Sequence, residues 1–250
     1  MDCLAPESAQ ARIGKLASAI PQSGGKLVAW KSDRELFALI RDHLSVAIVG
    51  DVLDQMGYTN QFLPPRIRPL RDDMIIVGRA MPVLQNISSH RTNDATAFGK
   101  MFEALDSLKD GEVYLCAGAP ADYALWGQNM STRAIRLGAA GAVVDGYSRD
   151  THETIQLGFP TFSWGPYAKD QRFRGKVTDF GCSIAFPNDV EVEPGDIVFG
   201  NIDGVVIIPQ KLEVEAVEGA FERATGEDSV QELLTRGKSA QDAFRQYGIM

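Results

Sequence analysis

Cysteine is scarce in this 250-residue chain: Cys3, Cys116 and Cys182 lie far apart and form no CxxC pair. That usage excludes a disulfide framework and a structural zinc site, and it suits a reducing compartment. Basic runs are missing too. With 25 Lys and Arg against 33 Asp and Glu, the formal net charge is −8. No nucleic acid partner is expected, because phosphate binding needs clustered cations. No stretch of about 18 uninterrupted apolar residues occurs, so no membrane span is read. The opening MDCLAPESAQARIGKLASAI lacks a basic start followed by an apolar run; no signal peptide is read and a cytoplasmic protein is expected. The absence of G-x-S-x-G, and of G-x-G-x-x-G after a strand, removes serine-nucleophile hydrolysis and the dinucleotide fingerprint. His43 and His90 have no ligand-like spacing with other His, Cys or acids. A Schiff-base aldolase needs a lysine in an apolar pocket, whereas Lys169, Lys176, Lys211 and Lys238 sit in polar or terminal stretches.

What is present suits a globular domain. The chain is 44% apolar and 23% charged, and a chain of this size buries roughly 70–75% of its unfolded surface without a staple. Residues 1–31, small and polar with a faint helical pattern, read as an N-terminal arm. From Ser32 the pattern firms: SDRELFALIRDHL has an N-cap at Ser32 and Glu35 three residues on. SVAIVGDVLDQMG reads as a second helix closed by Gly57, and MIIVGRAMPVL as a strand broken at its glycine. Then GEVYLCAG, QNMSTRAIRLGAAG, AGAVVDG, THETIQLG and FPTFSW alternate strand and helix, the signature of parallel crossover units. In the first of these helices Met130, Ala134, Ile135 and Leu137 form the inward face. After Gly175 short strands separated by Pro-Gly-Asp and Ile-Asp-Gly turns read as hairpins. The acidic tail is helical, with breaks at Gly226 and Gly237. The division expected is an arm over 1–31, an α/β domain with a β-rich half over 32–225, and a helical C-terminal tail over 226–250.

The stretch VVDGYSRDTHE sets Arg149, Asp150 and Glu153 beyond the carboxyl end of a buried strand, the edge of an open α/β sheet where ligands bind. Alone it is as readily a solvated turn opening a surface helix. A second element changes its meaning. Gly127 immediately precedes a helix whose first N–H groups have no internal partner and carry the positive end of the dipole. A carboxylate can approach there without a Cβ in the way. Arg149 offers a planar fork for the same carboxylate, and Asp150 is a hard oxygen ligand for Mg²⁺ or Mn²⁺. Glu153 could orient a metal-bound water from the second shell, although helix-start acids also serve the dipole. His152 reads as an exposed or capping residue.

The run GQNMSTRAIRLGAAGAVVDGYSRDTHETIQLGFPTF resembles the core of the RraA-like family, which includes divalent-metal 4-hydroxy-4-methyl-2-oxoglutarate/4-carboxy-4-hydroxy-2-oxoadipate aldolases and the regulator of ribonuclease activity A. A glycine followed some twenty residues later by Arg-Asp-x-x-Glu/Asp matches as Gly127, Arg149, Asp150 and Glu153. The resemblance extends to GDVLDQMG, GRAMPV and EPGDIVFGNIDGVVIIP. It implies a swivelling α/β/β sandwich-like fold and homo-oligomers, trimers or hexamers, with sites at subunit interfaces. It further implies that a pyruvate carboxylate contacts the backbone of Gly127, Gln128, Asn129 and Met130 together with Arg149, and that Asp150 holds the metal. Glu222 and Glu227 in the tail are the acids that could reach a neighbouring subunit's site. Ribonuclease regulators of the family typically lack the acid after the arginine, so Asp150 favours the enzyme branch. Gln128 departs from the acid that many family aldolases carry there.

The activity so implied is a metal-dependent retro-aldol cleavage of a 4-hydroxy-2-oxo acid to pyruvate. Arg149 and the metal would stabilise the enolate, and oxaloacetate decarboxylation is a natural side activity. Two other readings stand beside it. One is a non-catalytic regulator that binds an RNA-processing enzyme. The other is a sugar-acid lyase in which Gln128, Asn129 and the segment 166–180 read hydroxyl groups.

Overall fold

The computed structural model describes residues 30–88 and 95–249. Residues 1–29, nearly all of the anticipated arm, lie outside the described residues, as does His90. In chain order the elements begin with α1 (Asp33–His43), α2 (Val46–Gln55), β1 (Arg68–Pro69) and β2 (Ile76–Ile87). Next come α3 (Met101–Asp106), β3 (Glu112–Gly118), β4 (Ala124–Trp126) and α4 (Gln128–Leu137). They continue through β5 (Gly141–Val144), β6 (Tyr147–Ser148), α5 (Thr151–Gln156), β7 (Thr161–Ser163) and β8 (Gly175–Phe180). The series ends with β9 (Ile184–Ala185), β10 (Glu191–Val192), β11 (Ile197–Asn201), β12 (Gly204–Ile208), α6 (Glu213–Thr235) and α7 (Ala240–Tyr247).

These elements fall into two compact units, Ser45–Glu213 and the described residues up to Leu44 together with those from Val214 on. The latter unit is helical. Ser32 caps α1 by accepting the Glu35 N–H at 3.3 Å, while the Glu35 carboxylate accepts the Lys31 N–H at 2.8 Å. In α6 the apolar residues Ala216, Val217, Ala220, Phe221 and Ala224 recur at helical spacing and are buried, and the rings of His43 and Phe221 lie 6.1 Å apart. The expected break at Gly226 does not occur: α6 runs through it, because one glycine costs a helix only about 1 kcal/mol. The boundary drawn at 225/226 therefore falls inside a continuous helix. Gly237, at φ +84°, does end the run.

The larger unit is built on one sheet of order β1-β7-β5-β3-β2-β11-β12, with β8 also on β2. The neighbours β2, β3, β5 and β7 are all parallel, as the alternating strand and helix pattern requires. On the far side of β2 the partners are antiparallel: β11 pairs with Ile76–Arg79 and β8 with Val83–Ile87. Only part of the expected hairpin series forms. β11 pairs with β12 and β9 with β10, whereas β8 crosses to β2. Gln61–Leu63 bonds the outer edge of β12 just before the chain enters β1 at the other end of the sheet, which is thereby nearly closed.

Alternation along β3 explains the two cores. Val113, Leu115 and Ala117 enter one cluster with Phe162 and Ile207; Tyr114 and Cys116 enter the other with Trp126 and Ala134. Burial, with Asp145 nearby, holds the Cys116 thiol well above its usual range, so this cysteine is inert, as its apolar setting implies. Two details differ from the sequence reading. Gly78 does not break β2; a Cβ there would lie 2.4 Å from the Gly111 carbonyl oxygen, so the glycine permits close packing. Ile135 is exposed, because the buried face of α4 runs through Ser131 and Ala134.

Candidate active site

Two short parallel strands set up the site. β4 pairs with β6, register Ala124↔Tyr147 and Trp126↔Ser148, in a ladder separate from the main sheet. Each strand runs at once into a helix, β4 through Gly127 into α4 and β6 through Arg149 and Asp150 into α5. The Arg149 N–H donates to the Trp126 carbonyl at 2.9 Å and locks the two helix starts side by side. Trp126 is itself immobilised: its ring stacks on Phe159, and Nε1 donates to Ser131 Oγ at 2.8 Å. Ser131 Oγ in turn donates to the Gly127 carbonyl at 3.1 Å.

At the start of α4 there is no side-chain cap, because Gly127 has no side chain. The first N–H groups of that helix are thus left for an anion. The need for glycine is spatial, since its φ of −170° is ordinary extended backbone. A Cβ at this position would sit 3.0 Å from Asp150 Oδ2 and 3.3 Å from Arg149 Cγ. Asp150 occupies the N-cap position of α5 with φ 50° and ψ 42°, a left-handed conformation that aspartate tolerates better than most residues. An N-cap aspartate normally accepts an N–H of its own helix. This one makes no such bond, and its carboxylate lies against Gly127 instead. That removes helix capping as the explanation for the residue.

Arg149 is about as exposed as Asp150, with Nε 3.9 Å from Asp150 Oδ2 and Nη1 3.5 Å from Asp170 Oδ1. Both separations exceed a good hydrogen bond, so among the described residues the guanidinium is engaged only by these loose ion pairs. These groups open on a cleft of about 230 Å³ whose apolar wall includes Phe98, Met101, Phe102 and Met130. A second recess, bounded by Thr151, Pro166 and Tyr167, lies on another side of Arg149 and Asp150.

Of the residues singled out from the sequence, Gly127, Asn129, Met130, Arg149 and Asp150 all line the cleft. Gln128 and Glu153 are not among its lining residues; Glu153 is exposed on the first turn of α5. His152 bonds Gln156 on the same exposed helix at 2.9 Å, and Glu227 pairs with Arg223 one turn away at 3.4 Å. The cleft also holds Asp170, Gln171 and Arg172, which were not singled out individually from the sequence but lie in the segment 166–180 that the sugar-acid lyase reading assigns to hydroxyl recognition. The backbone of Asp170 bridges to Ala124 in β4, and that pairing brings the segment to the site.

A metal must be accommodated by few ligands. Among the described residues no group of three or more His, Cys, Asp or Glu is placed to hold an ion. A closed zinc site is therefore not built. Mg²⁺ commonly takes one or two carboxylates plus waters and substrate oxygens, and Asp150, uncapped and bordering the cleft, fits that donor set.

Comparison with known proteins gives concordant results. Residues 46–207 match the family described as RraA-like, Aldolase/RraA. Protein DlpA of Legionella pneumophila is 27% identical over 202 residues, which are 80% of this chain and 32% of that one. The chain thus spans about a third of the length of this relative. A Halalkalibacterium halodurans protein, provisionally named 4-hydroxy-4-methyl-2-oxoglutarate aldolase, is 28% identical over 78% of this chain and 87% of its own. Among solved structures, a Streptomyces coelicolor protein described as an unusual member of the RNase ES inhibitor RraA protein family shares the fold. Its TM-score is 0.68 at 22% identity, covering 84% of this chain and 100% of that one. No described helix is long and apolar enough to cross a membrane.

Proposed function

The chain belongs to the RraA-like family, and from that premise we propose that it is a divalent-metal-dependent carbon–carbon lyase. It would cleave a 4-hydroxy-2-oxo acid between C3 and C4 and release pyruvate. The observation that carries this reading is the Asp150 carboxylate, left out of helix capping and lying against the uncapped start of α4 beside Arg149.

In this reading the substrate's C1 carboxylate docks on the N–H groups at the start of α4 and on the fork of Arg149. Asp150 would hold Mg²⁺ or Mn²⁺, which when bound supplies positive charge at the 2-oxo oxygen. Arg149 supplies a second positive charge, aimed before the reaction at the oxygen where charge develops. As the C4 hydroxyl gives up its proton to solvent water, the C3–C4 bonding electrons pass into the 2-oxo group. A carbonyl product departs and pyruvate enolate remains; a proton returned from solvent to C3 completes pyruvate. The apolar wall of Phe98, Met101, Phe102 and Met130 would help to limit water around C3. Oxaloacetate yields the same enolate by losing CO₂, so decarboxylation follows as a side activity. Family membership supports assembly as trimers or hexamers with sites at subunit interfaces.

The test is pyruvate release from a panel of 4-hydroxy-2-oxo acids and oxaloacetate, with and without chelator, for the wild type and Asp150→Ala. Chelation and the substitution should each remove nearly all turnover, on the order of 10²–10³-fold, with the circular dichroism spectrum unchanged. Full activity after complete metal removal would sink the reading. A wild type inactive on the whole panel that captures a stoichiometric protein partner would instead favour a regulator.

A further inference from the structure

The pyruvate half of the substrate is served by Gly127, Arg149 and Asp150, which leaves another part of the same cleft without a task. Gln171 lines it, is only 4% exposed, and among the described residues its Nε2 has no hydrogen-bond partner. A buried donor left unpaired is costly, and an orphan of this kind in a folded protein calls for a specific explanation. The backbone that carries it is held rigidly. The Arg172 N–H donates to Asp170 Oδ1 at 3.2 Å, and the N–H groups of Arg174 and Gly175 donate to the Gln171 carbonyl at 2.9 and 3.0 Å. Arg174 Nη1 donates to the carbonyls of Asp170 and Arg172. Phe173 sits at φ +71°, a left-handed conformation that a bulky side chain adopts only when its surroundings impose it. Beside Gln171, the Arg172 guanidinium stands 5.0 Å over the Phe98 ring and lines the same cleft.

We propose that Gln171 is the residue that selects the distal end of the substrate: its Nε2 donates to an oxygen, of a carboxylate or a hydroxyl, carried beyond C4, with Arg172 alongside. The proposal rests on the lyase reading above. It is tested with the full-length protein, wild type and Gln171→Leu, on three 4-hydroxy-2-oxo acids ending in a carboxylate, a hydroxymethyl or a methyl group. KM should rise about tenfold for the oxygen-ended substrate that Gln171 reads and far less for the methyl-ended one, with kcat nearly constant. Whichever arm shows the rise identifies the oxygen. The thermal midpoint should stay level or increase, because an unpaired donor has been removed; an amide with a structural role would lower it. Gln171→Met, which keeps the side-chain length, should behave alike. Equal KM changes on all three substrates, or a lowered midpoint with uniform loss, would overturn the proposal. If the wild type turns over none of them, the lyase reading fails separately, and calorimetric titration decides for Gln171. A tenfold loss of affinity for 2-oxoglutarate, with pyruvate binding retained, supports the distal contact, whereas equal affinities refute it.

Discussion

At Gly127 the missing methyl group is what lets Asp150 and Arg149 share one corner with the start of α4. A Cβ 3.0 Å from Asp150 Oδ2 is a tight contact, yet the atom it meets ends a side chain that can turn. Gly127→Ala should therefore displace the carboxylate without unfolding the protein. The expected result is a loss of turnover of about tenfold or more, with a thermal midpoint close to wild type; unchanged kcat/KM would mean that the position of Asp150 against Gly127 is irrelevant to the chemistry. Residue-level legibility was uneven. Arg149 and Asp150 could be found because they follow one strand directly. Gln171 and Arg172 could be placed only as part of the segment 166–180, and Phe98 not at all, because each enters the cleft through pairings with distant segments. Gln128, expected from the resemblance to offer its backbone to a carboxylate, is not among the residues lining the cleft.

The elements follow rules that a sequence carries in full. Ser32, Glu35 and Gly57 act within one helical turn of their positions, and α1 and α2 begin and end as their caps dictate. Glycine inside an element is less informative, since the same residue type serves as a break, a close approach or a tolerated weakness. Gly226 belongs to the last class. Gly226→Ala should gain up to about 1 kcal/mol of helix propensity, because the added Cβ meets only Ile249 Cδ1, at 2.6 Å, the free end of a flexible side chain. Differential scanning calorimetry should show the midpoint rising by about 1–3 °C; a drop would show that Ile249 cannot move aside. Strand partners are the part that local pattern did not supply. β8 has the composition of a hairpin arm, but its pairing depends on which edge of β2 the folded sheet leaves open beyond β11.

For the whole molecule, burial couples stability to pH. Tyr123 is 2% exposed, and its hydroxyl donates to Gln85 Oε1 at 2.9 Å. Burial, with smaller contributions from Cys116 and Asp122, pushes its pKa up to about 12, against about 10 in an unfolded chain. The folded state then holds this proton more tightly than the unfolded one. The associated stability is complete below pH about 10 and is lost as pH rises toward 12, on the order of 2–3 kcal/mol in all. Tyr123→Phe should be less stable than wild type at pH 9, since Gln85 loses its donor, and the gap should narrow as pH climbs to about 11.5. Urea titrations across that range measure it, and a constant gap would contradict the shift. At this same scale the division of labour between chain and fold becomes clear. Composition, capping and alternation are short-range properties, so the sequence alone determined the α/β class, the parallel β3-β5-β7 run and the Gly127–Arg149–Asp150 corner. Only the tertiary structure decided that Asp150 leaves its helix uncapped, that β8 joins β2, and that the turn at Gln171 closes on the cleft, because those outcomes depend on backbone pairings between segments far apart in the chain.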